Sequence, residues 1–451
     1  MTISKLAYTI GKILIGIFLF IFLLGLITLT TVDRSPIQDQ EFYTKTMNAL
    51  DQLQLQGSET DTWLAGWGKA NMTPPQPVEL VGYAPRGNYE FVQDSSFVKA
   101  LALGNGKTNI AWLSYELLIV HPHLAEEVMS AIKNQNLPID QVIFTATHTH
   151  AGMGGYMPGP LGEMAFGGYN EETVELIVDK TISALSKAIA SKDTVTIQFR
   201  KIDAREYVSN RFIKDDPIEP SIRQLIFTKN SGEKATFFTY SAHATILSSK
   251  FMGLSGDYPF YLMKDLEEDN YDFAMFAAGT VGSHRPLASG NTPVLVEKYA
   301  HDLDSVMQIK ITDSSIVHRT RIEIGTLPIA LRDPHLRITD NLRLRPWLFN
   351  YLLGETNVHF DVTIIGNTLM IASSGEISGV FFKKWEDQAK SLGLNLIITT
   401  FNGGYMGYIT PDQYYDRNFH EVREMNWYGP GNGKYYDDMI SKIIDKAKIR
   451  N

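Results

Sequence analysis

The chain has 451 residues, 44% apolar and 20% charged, enough to bury a large core and unlike a disordered or fibrous protein. Fifty acidic against forty-one basic side chains leave a formal charge of -9, which argues against nucleic acid as a partner, since phosphate backbones are met by a basic face. The absence of cysteine excludes thiolate nucleophiles, thiolate zinc sites, iron–sulfur clusters and cysteine-linked lipid anchors, so any metal ion must be held by His, carboxylate or phenolate.

Ile13 to Val32 run for twenty residues without a charge, long enough to span a bilayer core as a helix. Lys5 and Lys12 precede the run, so the positive-inside rule expects a cytoplasmic N-terminus with the rest of the chain extracytoplasmic, in a periplasm, lumen or extracellular space. A cleaved signal peptide, and hence a secreted form, is the competing expectation. It fits less well because the apolar run is long and Leu29-Thr-Thr-Val32 is a poor small-x-small cleavage site. Residues 1–34 are thus expected to form a transmembrane anchor and residues 35–62, polar with a weak helical stripe (Phe42, Met47, Leu50, Leu53), a stalk. Residues 63–451 show no second linker and no repeat, and are expected to form one domain.

Within that domain, short apolar runs alternate with helical patterns, which predicts an α/β fold of mixed β-sheets with packed helices. Helices are expected at Leu124–Lys133, Glu172–Ala190, Val294–Met307, Val380–Leu392 and Asp437–Lys448. Five strand-like runs end in polar or glycine residues: 142–150, 235–243, 273–280, 368–376 and 396–404. Ligand sites of α/β sheets lie beyond the carboxyl ends of strands, so groups placed there by separate strands can converge. The segment Gly152–Gly168 mixes Met, Tyr, Leu and Phe with glycine and proline, as a lid or apolar mouth would. Arg343–Leu353 mixes cations and aromatics in an interfacial manner, although a core helix with arginines at its start is the expected form.

His148 and His150 carry the clearest local signal, because alternate residues of an extended strand share a face and two imidazoles there can bind or flank one metal ion. The glycines that follow, Gly154 among them, let backbone approach a ligand. His121 and His123 share the spacing but abut a helix start and are read as structural. His148, His243 and Glu376 could supply a His/His/carboxylate set from separate strand ends.

The run Ala146-Thr-His-Thr-His-Ala-Gly-Met-Gly-Gly-Tyr156 resembles the Thr-His-Thr-His-(Ser/Ala)-Gly-Pro-Gly-Gly-Tyr signature of the neutral ceramidases, zinc amidases that split ceramide into sphingoid base and fatty acid. Gly66-Trp-Gly-Lys-Ala-Asn-Met-Thr-Pro-Pro75, Gly82-Tyr-Ala84, Asn210-Arg211, His243, Ser255-Gly-Asp257, Gly375-Glu376, Asn402-x-x-Tyr-x-x-Tyr408 and Tyr428-Gly-Pro430 follow in the family's order. The resemblance implies zinc held by His148, His243, Glu376 and Tyr408, with His150 as acid/base and Arg211 as the cation that polarises the amide oxygen. It implies a ceramide-like lipid as substrate, and no protein partner is inferred. Gly154, Thr280 and Ser283 are the candidate substrate contacts, with a structural loop as the favoured alternative for Thr280 and Ser283. The chain departs from the pattern at Gly279-Thr-Val-Gly-Ser-His-Arg-Pro286, where the family reads Gly-Asp-Val-Ser-Pro: the Asp is absent and the Ser is displaced by one position. Phe419 stands where a second tyrosine is expected, and the family's C-terminal β-sandwich has no counterpart after the helix at Asp437. A zinc hydrolase of another N-acyl amide or ester, and an inactive binding protein of the same fold, are the rival expectations.

Overall fold

Alternation of large and small side chains along neighbouring strands sets the layering. In strand Trp63–Asn71, Trp63, Ala65 and Trp67 face one side while Gly66 and Gly68 face the other; in Phe97–Gly104 the division is Leu101 and Leu103 against Ala100 and Ala102. The small face lets helix Glu171–Ala190 lie directly on the sheet: a Cβ on Gly66 would meet the Ala188 carbonyl oxygen at 2.2 Å. The large face packs against a second sheet through Ile322, Ile365, Met370 and Ile397. The protein, a computed structural model that describes residues 3–83, 86–354 and 356–448, is therefore two stacked sheets with helices on their outer faces. Ala84, part of the Gly82-Tyr-Ala84 motif, lies outside the described residues, as do 449–451.

The larger sheet has nine strands. Eight run in the order Phe273–Ala278, Lys234–Tyr240, Ser221–Lys229, Asp193–Asp203, Trp63–Asn71, Phe97–Gly104, Asn109–Tyr115 and Gln141–Ala146, and Ile311–Ile316 pairs along Asp193–Asp203. The smaller has five, in the order Gln56–Thr60, Thr320–Pro328, His359–Ile365, Thr368–Ser373 and Asn395–Thr400. Parallel pairs close each sheet where the expected polar-ended strands fall: Asn109–Tyr115 with Gln141–Ala146, Lys234–Tyr240 with Phe273–Ala278, and Thr368–Ser373 with Asn395–Thr400. The Thr145 hydroxyl donates to the Thr400 carbonyl at 3.1 Å, and the Thr400 hydroxyl donates to the Ala278 carbonyl at 3.2 Å. Three strand ends from both sheets thus meet at one place, the position where α/β folds bind ligands.

The five expected helices are present as Pro122–Asn134, Glu171–Ala190, Pro293–Ile309, Phe382–Ser391 and Asn432–Lys446. The N-terminal helix runs from Ile3 to Thr28, and its stretch Ala7–Thr28 (mean hydropathy 2.7) is not buried in the domain and is long and apolar enough to cross a membrane. The expectation of a loose stalk over residues 35–62 is corrected by packing. The apolar stripe belongs to an amphipathic helix, Glu41–Gln52, whose Leu50 is fully buried and whose neighbour Phe42 meets Tyr435 edge-on at 5.1 Å. Gln56–Thr60 adds the outer strand of the smaller sheet, and the Asp33 carboxylate takes an ion pair from Arg332 at 2.9 Å. A polar composition hid this because one face of a short amphipathic helix is enough to dock it.

Candidate active site

Three imidazoles converge beyond those strand ends, each locked by its own backbone carbonyl. His148 Nδ1 lies 2.7 Å from Leu118 O, His150 Nδ1 2.9 Å from Gly82 O, and His243 Nδ1 2.9 Å from His284 O. Because a carbonyl only accepts, each Nδ1 carries the proton and each Nε2 keeps its lone pair. One ring nitrogen from each residue lies within 4.8 Å of the others. The geometry differs from the expected strand alternation: the strand ends at Ala146, and His148 adopts a left-handed φ of 62°. That turn lays the His148 ring flat on Phe401, with centroids 4.4 Å apart, and brings its Nε2 to 3.4 Å from His150 Nε2.

Glu376 completes the cluster from the smaller sheet's side. Its Oε2 lies 3.3 Å from His148 Nε2 and 3.4 Å from His243 Nε2, while Oε1 accepts the Tyr405 hydroxyl at 2.7 Å. Oε2 is buried with no hydrogen-bond donor, an unsatisfied anion that a metal ion would satisfy. Tyr408 is brought alongside by a short parallel pairing of Glu376–Ile377 with Tyr408–Ile409, and its Oη lies 3.1 Å from His243 Nε2. Imidazole nitrogens, a carboxylate and a phenol oxygen are a donor set that zinc accepts. Arg211 Nη2 donates to Tyr408 Oη at 3.0 Å, while its Nε lies 2.8 Å from Glu421 Oε1.

Burial sets the charges here. It pushes the His243 imidazole down to about 3, with Arg211 adding to the effect. It also holds His150 well below the ordinary histidine range, reinforced by His148 and His243. Burial works to raise the Glu376 carboxyl, but His148 and His243 hold it well below the usual carboxylate range. Burial opposes the charge on Arg211 too, yet Tyr408, Glu421 and Glu376 raise its pKa, so the guanidinium stays charged. The Tyr408 phenol is pushed well above its ordinary value by burial and Glu376. At neutral pH the cluster therefore holds a neutral His150 and His243, an ionised carboxylate and a fixed cation.

The site floors a cavity of about 210 Å³ whose walls are apolar: Met157, Leu161, Phe166, Leu353, Met425 and Trp427 surround His148, His150, Glu376 and Tyr408. Part of that wall is the expected mouth segment, with Leu161 and Ala165 on a short helix, Pro160–Ala165. A larger groove of about 1080 Å³, between Gln54–Glu59 and the C-terminal helix, is lined by ion-paired surface charges and holds none of these groups.

The expected substrate contacts are corrected. Thr280 and Ser283 are buried behind the site: Thr280 Oγ1 is 3.1 Å from Ser241 Oγ, and Ser283 Oγ accepts from Ser378 Oγ at 2.9 Å and from the Gly379 amide at 3.1 Å. Their hydroxyls brace the 279–286 loop, and neither lines the cavity. Gly154 donates its amide to Glu79 O at 2.7 Å, and a Cβ there would meet Phe166 O at 2.3 Å, so it seats the mouth segment. His121 caps helix Pro122–Asn134 by accepting the His123 amide at 3.2 Å, in accord with its structural reading, though its ring also borders the cavity. Tyr405 and Glu421 went unassigned from sequence. Tyr405 stands inside the Asn402-x-x-Tyr-x-x-Tyr408 motif, whereas Glu421 carries no local signal.

The family described as neutral/alkaline non-lysosomal ceramidase, N-terminal, matches residues 63–271. Two solved structures share the fold. The neutral ceramidase from Pseudomonas aeruginosa is 16% identical with a TM-score of 0.69, the match covering 87% of this chain and 76% of that one. A ceramidase complexed with C2 is also 16% identical with a TM-score of 0.71, over 87% of this chain and 77% of that one. Residues 63–271 thus match the neutral/alkaline non-lysosomal ceramidase N-terminal family by sequence, and the chain shares the fold of the two ceramidase structures over most of its length.

Proposed function

We propose that the protein is a membrane-anchored, zinc-dependent amidase that hydrolyses the N-acyl bond of ceramide-like lipids to a sphingoid base and a fatty acid. The observation that carries this reading is the set of three tautomer-locked imidazoles facing an undonated carboxylate oxygen at the floor of an apolar cavity. His148, His243, Glu376 and Tyr408 are the residues that would hold the ion. Zinc in such a site supplies Lewis-acid polarisation of a carbonyl and brings the pKa of a water molecule to about 7.

The chain's own groups divide the remaining work. His150, with Nδ1–H on Gly82 and a depressed pKa, presents a basic Nε2 that takes the proton of the attacking water and returns it to the departing amine nitrogen. Arg211 directs Nη2 into the cluster as a charged donor for the carbonyl oxygen as it gains negative charge. Met157, Leu161, Phe166 and Trp427 exclude bulk water and accept apolar chain. Ile3–Thr28 would tether the domain, on the extracytoplasmic side, to the bilayer in which such a substrate resides.

The inward-turned Thr280 and Ser283 favour a second reading, the same hydrolytic centre with another N-acyl amide or ester as substrate. Metal analysis of the purified protein, followed by product identification on ceramides, other N-acyl amides and esters, separates the readings. About one zinc per chain with sphingoid base released supports the proposal. A metal-free protein with no turnover supports an inactive binding protein.

A further inference from the structure

The end of the N-terminal helix is not a free tether. Leu29–Thr31 pairs antiparallel with Leu342–Leu344, and the last turn of the helix is capped by the segment that follows. Arg345 donates its amide to Thr28 O at 2.8 Å and its Nε to Leu26 O at 3.1 Å, while Trp347 Nε1 donates to Ile27 O at 3.3 Å. These carbonyls are the ones a helix leaves unpaired at its C-terminus. At 1.5 Å per residue, the 22-residue apolar stretch spans about 33 Å, close to the thickness of a bilayer core, so Ile27 and Thr28 fall at its boundary. Trp347, bonded to Ile27, is fixed at the same level.

Trp347 lies in the first turn of helix Pro346–Leu353, whose two faces differ. Phe349 and Leu353 point inward, Phe349 onto Trp427 and Tyr428, and Leu353 into the cavity wall. Trp347 and Tyr351, also four residues apart, are 53% and 68% exposed. The neighbouring helix Pro160–Ala165 repeats the pattern, with Leu161 and Ala165 toward the cavity and Met164 68% exposed. Trp and Tyr are the side chains that settle at the membrane–water boundary.

We propose that the outer faces of these two helices dock on the surface of the bilayer that Ile3–Thr28 spans, with Trp347 and Tyr351 as interfacial anchors, so that the apolar cavity wall adjoins the lipid. The occupant is lipid because the hydrogen-bonded clasp leaves the exposed face beside a helix terminus that itself sits at the boundary. The inference rests on reading Ile3–Thr28 as a retained membrane span.

The test uses the full chain reconstituted in phosphatidylcholine vesicles, with and without phosphatidylcholine brominated near the headgroup end of its acyl chains. Of the six tryptophans, Trp347 is the exposed one, so the fluorescence quenched by bromolipid in the native chain should largely disappear in Trp347→Phe. Equal quenching in both, or none in either, overturns docking while vesicle flotation shows that the anchor holds. Failure to float with the vesicles overturns the anchor and this inference with it. In kinetics, the double variant Trp347→Ser, Tyr351→Ser should lose about tenfold in turnover of bilayer ceramide while matching the native chain on detergent-dispersed ceramide. Unchanged turnover on bilayers contradicts the docking. Absence of ceramide turnover by the native chain in either format refutes the substrate assignment instead, and leaves the quenching result standing.

Discussion

Tyr405→Phe isolates one hydrogen bond behind the cluster. The hydroxyl donates to Glu376 Oε1 at 2.7 Å, and the other carboxylate oxygen has no donor at all. Removing the hydroxyl therefore leaves a buried carboxylate with no protein hydrogen bond, beside the Nε2 atoms of His148 and His243. A hydrogen bond to a charged group is worth about 1.5–3 kcal/mol, which corresponds to roughly tenfold to a hundredfold in a binding constant. Loss of a group that orients a metal ligand falls in the same range, about 10- to 100-fold in metal affinity. Chelator competition monitored by a zinc-sensitive dye should show a Kd raised by that factor, with the ring otherwise keeping its stacking on Phe401 and its edge-on contact with Trp427. An affinity within about twofold of the native chain would refute either the assignment of Glu376 as a ligand or the role given to Tyr405.

Other outcomes follow from the same geometry. His148→Ala and His243→Ala should each lose metal and activity together, while His150→Gln should retain metal and lose about 10²- to 10⁴-fold in kcat; metal-free His150→Gln protein would make His150 a ligand. A chain beginning at Asp33 should stay folded and hydrolyse detergent-dispersed substrate. One beginning at Trp63 loses the buried Ile37 and Leu50 and the strand Gln56–Thr60, and should melt at a lower temperature; equal melting temperatures would contradict the packing described. Burial lifts the Asp94 carboxyl to about 7 against an ordinary value near 4, so the folded state holds its proton longer than the unfolded state. Its contribution to stability is therefore lost as pH rises through about 7, by at most about 1.4 kcal/mol per pH unit. The urea midpoint should fall between pH 6 and pH 8 and fall less in Asp94→Asn; identical slopes in the two proteins would contradict this.

Much of this arrangement is legible in the sequence, and the reasons are local. The five polar-ended runs could be read because β-branched and aromatic residues stop abruptly at glycine or hydroxyl positions, and three of those ends do meet. The pairing of His148 with His150 was legible, but its cause was misplaced, since a left-handed residue and an aromatic stack, rather than strand alternation, bring the rings together. Thr280 and Ser283 stay open between the two readings in sequence, because a hydroxyl in a glycine-rich loop looks the same whether it faces ligand or protein. Glu421 was invisible because its contact with Arg211 crosses 210 positions and depends on tertiary packing alone. Residues 35–62 read as a stalk in sequence because their docking surface is supplied by the C-terminal helix, nearly 400 residues away.

The carbonyls that fix the three imidazoles belong to Leu118, Gly82 and His284, and a carbonyl survives every amino-acid replacement. A scan that truncates side chains would consequently pass over these anchors and report the ring orientation as robust. At Gly82 the backbone itself constrains residue type, because its φ is 98° and a Cβ would strike the His150 backbone at 2.5 Å. The orientation of the rings is thus inherited from the chain path, and engineering of this centre must move backbone, through loop length or strand register, to retune it.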